Sequence, residues 1–238
     1  DFCEPGNEHK EDIESGSRAA AAGGVTAVVT LPDTDPAIDD ASVLEFVARR
    51  ARDVKLVKVF AYATVTRNAD SDEIVEMGLL KQAGAVAFTN GRSAVANAKT
   101  LSRALKYALA FDALIVQHPE EASLSNGGVM QSGELATRLG LPGIPREAET
   151  IMIDRDLALV KMTGGRYHAA HISTAESVAK IRAAKADGLR VTCDTAPPYF
   201  ALNELAVGEY RTFAKLSPPL RTEDDRQAIV AGLADGTI

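Results

Sequence analysis

The alternation of two periods along this chain limits its fold more than any other feature. Short apolar runs, read as strands, recur at 25–31, which reads as a buried strand, and at 56–63, 85–89, 113–117, 166–172 and 189–192. Between them lie segments whose apolar residues fall three and four apart, the spacing of one helical face. Helices are expected over 12–22, closed by Gly23-Gly24, from a cap at Asp39 or Asp40 to about Arg52, and from Ser71 to Gly84. Further helices are expected at about 95–111, 146–163 and 175–187, with a loop from Cys193 to Leu205 and a last helix capped by Thr222. Strand and helix joined by turns of a few residues, with no break in composition, predict one α/β domain over 1–238 built on a parallel sheet. That sheet is either open and doubly wound or closed as a (β/α)8 barrel. No GxGxxG follows the first strand, which weighs against a dinucleotide site. From 119 to 145 the pattern lapses into Gly, Pro, Ser and Asn with one helical piece near 132–139, and this insert reads as a functional loop or lid.

Charge and cysteine usage exclude several classes. The 238 residues carry a net charge of −7, with acids and bases interleaved and no basic stripe, so nucleic acid is not an expected partner. Cys3 and Cys193 cannot build a disulfide framework, and no CxxC suggests zinc. No apolar run approaches the ~20 residues of a membrane span, and no signal peptide is seen, so a cytoplasmic protein is expected. The first residue is Asp1 rather than Met, and 232–238 read as a helix end leading toward a further strand. Segments are therefore expected to be missing on both sides.

Chemistry gathers around histidines at strand ends. His118 follows the 113–117 strand, and His171 ends another that breaks at Ser173-Thr174, an N-cap pair opening a helix. The carboxyl end of a strand is where α/β barrels place their chemistry, and imidazole there can ligate a metal or move a proton. Two neutral imidazoles at one mouth make a partial metal site, since a catalytic zinc takes three protein ligands. Taken singly, a strand histidine more often fills a structural place. His168 lies three residues before His171, so alternation sends it to the other face and marks it as structural. His9, in a polar run, reads as exposed. Asp33, Asp35, Asp39 and Asp40 read as turn and capping residues, and Glu120 or Glu121 as either a partner for the His118 ring or surface charge. Lys215 and Arg221 bracket Pro218-Pro219 as an anion clamp, and Cys193 reads as a buried, inert thiol.

Several blocks in one order resemble the bacterial dihydroorotases of the amidohydrolase superfamily. They are Glu4-Pro5-Gly6, the run from Ser17 to Thr26, Leu31-Pro32-Asp33-Thr34, Gln117-His118, His171-Ile172-Ser173-Thr174 with Glu176-Ser177, and the run from Lys215 to Arg221. The resemblance spans nearly the whole chain. It implies a (β/α)8 TIM-type barrel of the metal-dependent hydrolase type, here incomplete at both termini, with one or two zinc ions at the strand ends. It implies that a metal-bound hydroxide opens or closes the cyclic amide of dihydroorotate in pyrimidine biosynthesis, and that His118 and His171 are metal ligands.

The departures from the family pattern fall on named positions. Asp1 stands where the family has its second ligand histidine, and Cys3 where it has a substrate-binding arginine. Asn90, in Thr89-Asn90-Gly91, stands for a bridging carboxylate, and Asp33 for a substrate-binding asparagine. Ala196-Pro197-Pro198-Tyr199 replaces a Thr-Pro-His-His run, and the general-base aspartate is expected beyond Ile238. A single zinc on His118, His171 and a carboxylate beyond Ile238 fits this pattern, with Arg221 or Lys215 meeting an anionic substrate. A related cyclic amidohydrolase acting on allantoin, a hydantoin or a lactone fits the altered substrate residues equally well. The rival expectation is a catalytically silent homologue that forms a homo-oligomer or serves as structural partner of aspartate carbamoyltransferase.

Overall fold

The computed structural model describes residues 2–238. Asp1, read above as standing at a ligand histidine, lies outside the described residues. The chain divides into two compact units, one reaching to Gln117 and the other His118–Ile238.

The first unit runs α1 (Ile13–Ala22), β1 (Ala27–Thr30), α2 (Ala41–Val54), β2 (Lys58–Ala61), α3 (Met77–Gln82), α4 (Ala98–Leu109) and β3 (Leu114–Gln117). Capping residues set where its helices begin. Asp12 and Ser15 form a reciprocal capping box on α1, Asp40 accepts from the Ser42 and Val43 amides of α2, and Asn97 accepts from those of Lys99 and Thr100 on α4. Helix α4 buries Leu101, Ala104, Leu105 and Ala108, a four-residue stripe toward the core. Strands β1 and β2 pair in parallel, Val29 beside Phe60 and Thr30 beside Ala61. Phe88 then bridges Ala63 on one side and Ile115 on the other, so residues 86–89 act as a middle strand next to β3. The expected strand 85–89 is thus present as a short hydrogen-bonded segment.

Two expectations for this unit are corrected. The helix expected from Ser71 begins only at Met77, because Ile74 pairs with Thr66 in an antiparallel bridge and the Val75 amide donates to the Val65 carbonyl. Ile74 and Val75 sit side by side, an apolar pair that suits an extended segment as well as a helix. The run 25–31 was expected to be buried, yet Val29 and its neighbour Phe60 are 41 % and 44 % exposed.

The second unit runs α5 (Ala122–Ser125), β4 (Met130–Gln131), α6 (Glu134–Leu139), β5 (Gly143–Ile144), α7 (Glu147–Thr163), β6 (Arg166–Ala169), α8 (Ala175–Ala186), β7 (Val191–Cys193), α9 (Pro197–Ala201) and α10 (Glu223–Ala234). Strands β6 and β7 are parallel, His168 beside Thr192 and Ala169 beside Cys193. The 119–145 insert is more ordered than its composition suggests. Its β4 and β5 pair in parallel, and Met130 and Ala136 share an apolar cluster with Tyr199, Val207, Ala214 and Leu220. Residues 197–201, expected as loop, form a short helix because the prolines occupy its first turn, where no amide donor is needed. No helix of the described residues is long and apolar enough to cross a membrane. Alternating strands and helices with parallel pairing make the chain an α/β protein.

Candidate metal centre

His118 begins immediately beyond β3, and His171 lies two residues beyond β6. The structure brings the two rings together: their Nδ1 atoms are 3.4 Å apart and their centroids 5.5 Å. Two nitrogens bound to one tetrahedral zinc at about 2.0–2.1 Å lie roughly 3.3–3.4 Å apart, the edge of that tetrahedron. The observed spacing therefore suits both imidazoles as ligands of one ion. Burial lowers the pKa of His118, opposed by Glu120 and reinforced by His171, so its ring is neutral with a lone pair to offer at neutral pH.

The far side of the His118 ring has its own partners. Nε2 lies 3.3 Å from Ser217 Oγ, and that hydroxyl donates to Glu120 Oε2 at 3.4 Å. Glu120 Oε2 is also 3.9 Å from Nε2. With Nδ1 turned to a cation, Nε2 carries the proton and donates outward, the usual way a ligand imidazole is fixed. Of the two acids beside His118, Glu120 takes this place. Glu121 instead caps α5 through the Ser123 amide.

His171 is held through its backbone, in the left-handed region at φ 59°. Asp194, just beyond β7, accepts from the His171 amide through Oδ1 at 2.6 Å. Its Oδ2 lies 3.0 Å from His168 Nε2, whose Nδ1 is 2.7 Å from Thr192 Oγ1. Burial raises the Asp194 carboxyl, but the hydrogen bonds from His168 and the His171 amide, with both imidazoles close by, outweigh it and hold it below its ordinary value. His168 is engaged within the β6–β7 pair and its ring does not join the other two.

Glu149 secures Ser173, Thr174 and Ser177. This carboxylate, buried on α7, accepts from the Ser173 amide at 3.1 Å, the Thr174 amide at 3.1 Å, both their hydroxyls and the Ser177 hydroxyl. Arg221 Nη2 stands 3.7 Å away. Sequence reasoning missed Glu149 and Asp194. Glu149 had a signal: with Asp156 it falls on the same stripe as Ala148, Met152, Ile153 and Val160, where an acid must have partners. Asp194 had none beyond its place at a strand end.

The remaining sequence candidates have other roles or partners. Arg221 is 4 % exposed and donates to Ser173 Oγ at 2.9 Å, the Ile144 carbonyl at 3.3 Å and Gln131 Oε1. Lys215 is exposed, so the expected clamp is corrected: one cation is interior and the other on the surface. Asn90 is buried in the first unit, and its Oδ1 accepts from the Val65 and Thr66 amides at 3.0 and 3.2 Å while Nδ2 donates to Thr66 Oγ1. Both lone pairs of that oxygen are taken, so Asn90 pins a loop and is not placed to ligate. Asp33 forms an ion pair with Arg92 at 2.7 Å. Cys3 is half-buried in a turn, its amide bonded to the Glu11 carbonyl and its carbonyl to the Asn7 amide. Cys193 is buried, its thiol 3.2 Å from the Thr237 carbonyl and pushed up to about 11 by burial, the inert group expected. Among the described residues no group of three or more His, Cys, Asp or Glu side chains is arranged to hold a metal ion. The two imidazoles are a fit for two of the three ligands that a catalytic zinc takes.

Comparison with known proteins agrees with this arrangement of elements. A family model described as dihydro-orotase-like matches residues 1–177. The dihydroorotase of Syntrophus aciditrophicus is 46 % identical over 235 residues, covering 99 % of this chain and 55 % of the relative. That of Syntrophotalea carbinolica is 48 % identical with the same coverage, and that of Anaplasma phagocytophilum 46 % identical over 99 % of this chain and 52 % of its own length. The chain spans about half the length of the curated relatives it matches. Among solved structures, the L-hydantoinase of Arthrobacter aurescens superposes with a TM-score of 0.76 at 22 % identity, covering 94 % of this chain and 51 % of that one. A D-hydantoinase superposes at 0.75 and 22 % identity, covering 96 % and 52 %. At that identity the likeness concerns the fold.

Proposed function

The chain belongs to the dihydro-orotase-like family, and from that premise we propose that it is part of a zinc-dependent cyclic amidohydrolase interconverting dihydroorotate and carbamoyl aspartate. In this reading residues 1–238 contribute to one (β/α)8 domain, and the protein works in the cytoplasm in pyrimidine biosynthesis. One observation carries the proposal: His118 and His171 present Nδ1 atoms 3.4 Å apart, a tetrahedral edge for zinc. A zinc held there would polarise the amide carbonyl and make a water acidic enough to attack near neutral pH. The chain's own residues fix the site. Ser217 and Glu120 keep the His118 proton on Nε2, and Asp194 and Glu149 hold the segment carrying His171. Cys3 brings no charge for a carboxylate, and Asp33 is already paired with Arg92, so the carboxylate of dihydroorotate must find other donors. A hydantoin or allantoin, which lacks that carboxylate, suits these two positions as well.

A second reading rests on Asn90. Because its oxygen is committed to backbone amides, the place of a bridging carboxylate is filled by a structural amide, which favours a catalytically silent chain that partners aspartate carbamoyltransferase or itself. The intact gene product separates the two readings. We expect about one zinc per chain by metal analysis, hydrolysis of dihydroorotate or a related ring, and loss of both in His118→Ala and His171→Ala. Zinc content unchanged in both variants would overturn the assignment of the ligands, and a zinc-free, inactive wild type that co-purifies with aspartate carbamoyltransferase would establish the silent reading.

A further inference from the structure

We propose that Asp194 is a positioning residue for His171: it holds residue 171 in a left-handed backbone conformation that turns the imidazole toward His118, and His168 anchors the carboxylate that does so. The inference rests on the reading of His171 as a metal ligand and extends it to residues that act on His171 through its backbone.

The starting observation is the φ of 59° at His171. A non-glycine residue there loses about 1–2 kcal/mol to the clash of Cβ with its own backbone, and keeps the conformation only when its surroundings over-determine it. They do so here on every backbone donor of the segment. The His171 amide goes to Asp194 Oδ1 at 2.6 Å and the Ile172 amide to the Asp194 carbonyl at 3.0 Å. The Ser173 and Thr174 amides go to Glu149, and the Ile172 carbonyl accepts from Thr195 Oγ1 at 2.9 Å. The Asp194 amide returns a bond to the Ala169 carbonyl at 3.1 Å, which locks residue 194 to the end of β6.

The carboxylate divides its two oxygens between two tasks. Oδ1 serves the His171 amide, and Oδ2 faces His168 Nε2 at 3.0 Å. Ionised carboxylates only accept, so Nε2 is the donor, and in the neutral ring Nδ1 accepts from Thr192 Oγ1. His168 and Thr192 are register partners in the β6–β7 pair. The order of support is therefore β-pair, His168, Asp194, His171 backbone, His171 ring, His118. A purely structural link between two strands would need Asp194 only for stability. A positioning role requires in addition that the ring of His171 move when Asp194 is removed.

The test uses the intact gene product, with Asp194→Ala, Asp194→Asn and His168→Gln variants. Three quantities are read: imidazole nitrogen and proton signals of His118 and His171 by NMR on the metal-free protein, zinc affinity by competition with a chromophoric chelator, and the melting temperature. Asp194→Ala is expected to shift the His171 ring signals and to weaken zinc by about 10- to 100-fold, the usual cost of losing an outer partner. Asp194→Asn keeps an acceptor oxygen for the 171 amide and should recover most of that affinity. His168→Gln should fall between them. If Asp194→Ala fails to fold, Asp194→Asn and His168→Gln decide the matter. Ring signals and zinc affinity in a folded Asp194→Ala or His168→Gln equal to wild type would overturn the proposal, even with a lower melting temperature. If the wild type binds no zinc, the metal reading fails by itself, and a His171 ring displaced in metal-free Asp194→Ala still establishes the positioning role.

Discussion

Glu149 and Asp156 stand seven residues apart on the buried face of α7, and their environments give them opposite consequences. Glu149 is an acceptor surrounded by donors: two amides, three hydroxyls and the Arg221 guanidinium. Removing it would leave those groups and Arg221 buried without their partner, so Glu149→Ala is expected to destabilise the protein by about 3–5 kcal/mol in denaturant titration. A loss under about 1 kcal/mol would contradict this account of the site. Asp156 has fewer compensations, the Tyr167 hydroxyl at 2.8 Å and the Arg155 guanidinium at 2.8 Å. Burial raises its pKa to about 6, with Arg155 and Tyr167 opposing. The folded state thus holds this proton more tightly than the unfolded chain, whose ordinary value is 3.8. The stability contributed by the protonated form is complete below about pH 4 and is lost as pH rises through 6, a change on the order of 3 kcal/mol. Asp156→Asn should flatten that part of the stability–pH curve, and an identical curve for wild type and variant would show that Asp156 does not titrate in the window.

At the scale of elements, short-range chemistry decides where helices begin. Asp40 was one of two aspartates readable as the cap of α2, and the structure selects it because its Oδ1 reaches the Ser42 and Val43 amides at 2.7 and 3.2 Å. Asp39 instead takes the Asn68 amide at 3.1 Å, a partner no local pattern could name. Asp40→Ala is expected to cost about 1 kcal/mol and to speed hydrogen exchange in the first turn of α2, whereas protection there equal to wild type would deny the cap. Thr174 and Thr222 were equally legible as caps, and both accept from the third residue of their helices. The misread helix at Ser71 shows the limit of such signals. Apolar spacing alone could not tell that Val75 would be drawn out to bond with Val65. The glycine of Glu4-Pro5-Gly6 has a tertiary reason too, since at φ 97° a Cβ there would come within 2.1 Å of the Asp35 carbonyl oxygen.

At the scale of the molecule, the described chain carries a family core together with apolar surface. Val29 and Phe60 are register partners on neighbouring parallel strands, and each leaves more than two fifths of its surface open. Side-by-side apolar groups on a sheet face favour association with other surfaces. The chain 1–238 should therefore self-associate as its concentration rises, and Val29→Thr with Phe60→Thr should shift it toward the monomer in sedimentation or light scattering. Equal association by wild type and the double variant would place the sticky surface elsewhere.

Much of this protein was written in local pattern: the alternation that makes it α/β, the capping residues, and two histidines at strand ends. What the pattern could not contain is contact across long stretches of chain. The ring pair joins residues 53 apart, and the His118 ring meets a serine 99 residues away. Only the packing of parallel βα units, whose strands and crossovers separate neighbours by tens of residues, brings such groups together. That packing also decided that Glu149 would be interior, that Asn90 would pin a loop, and that a strained backbone at His171 would be held by Asp194.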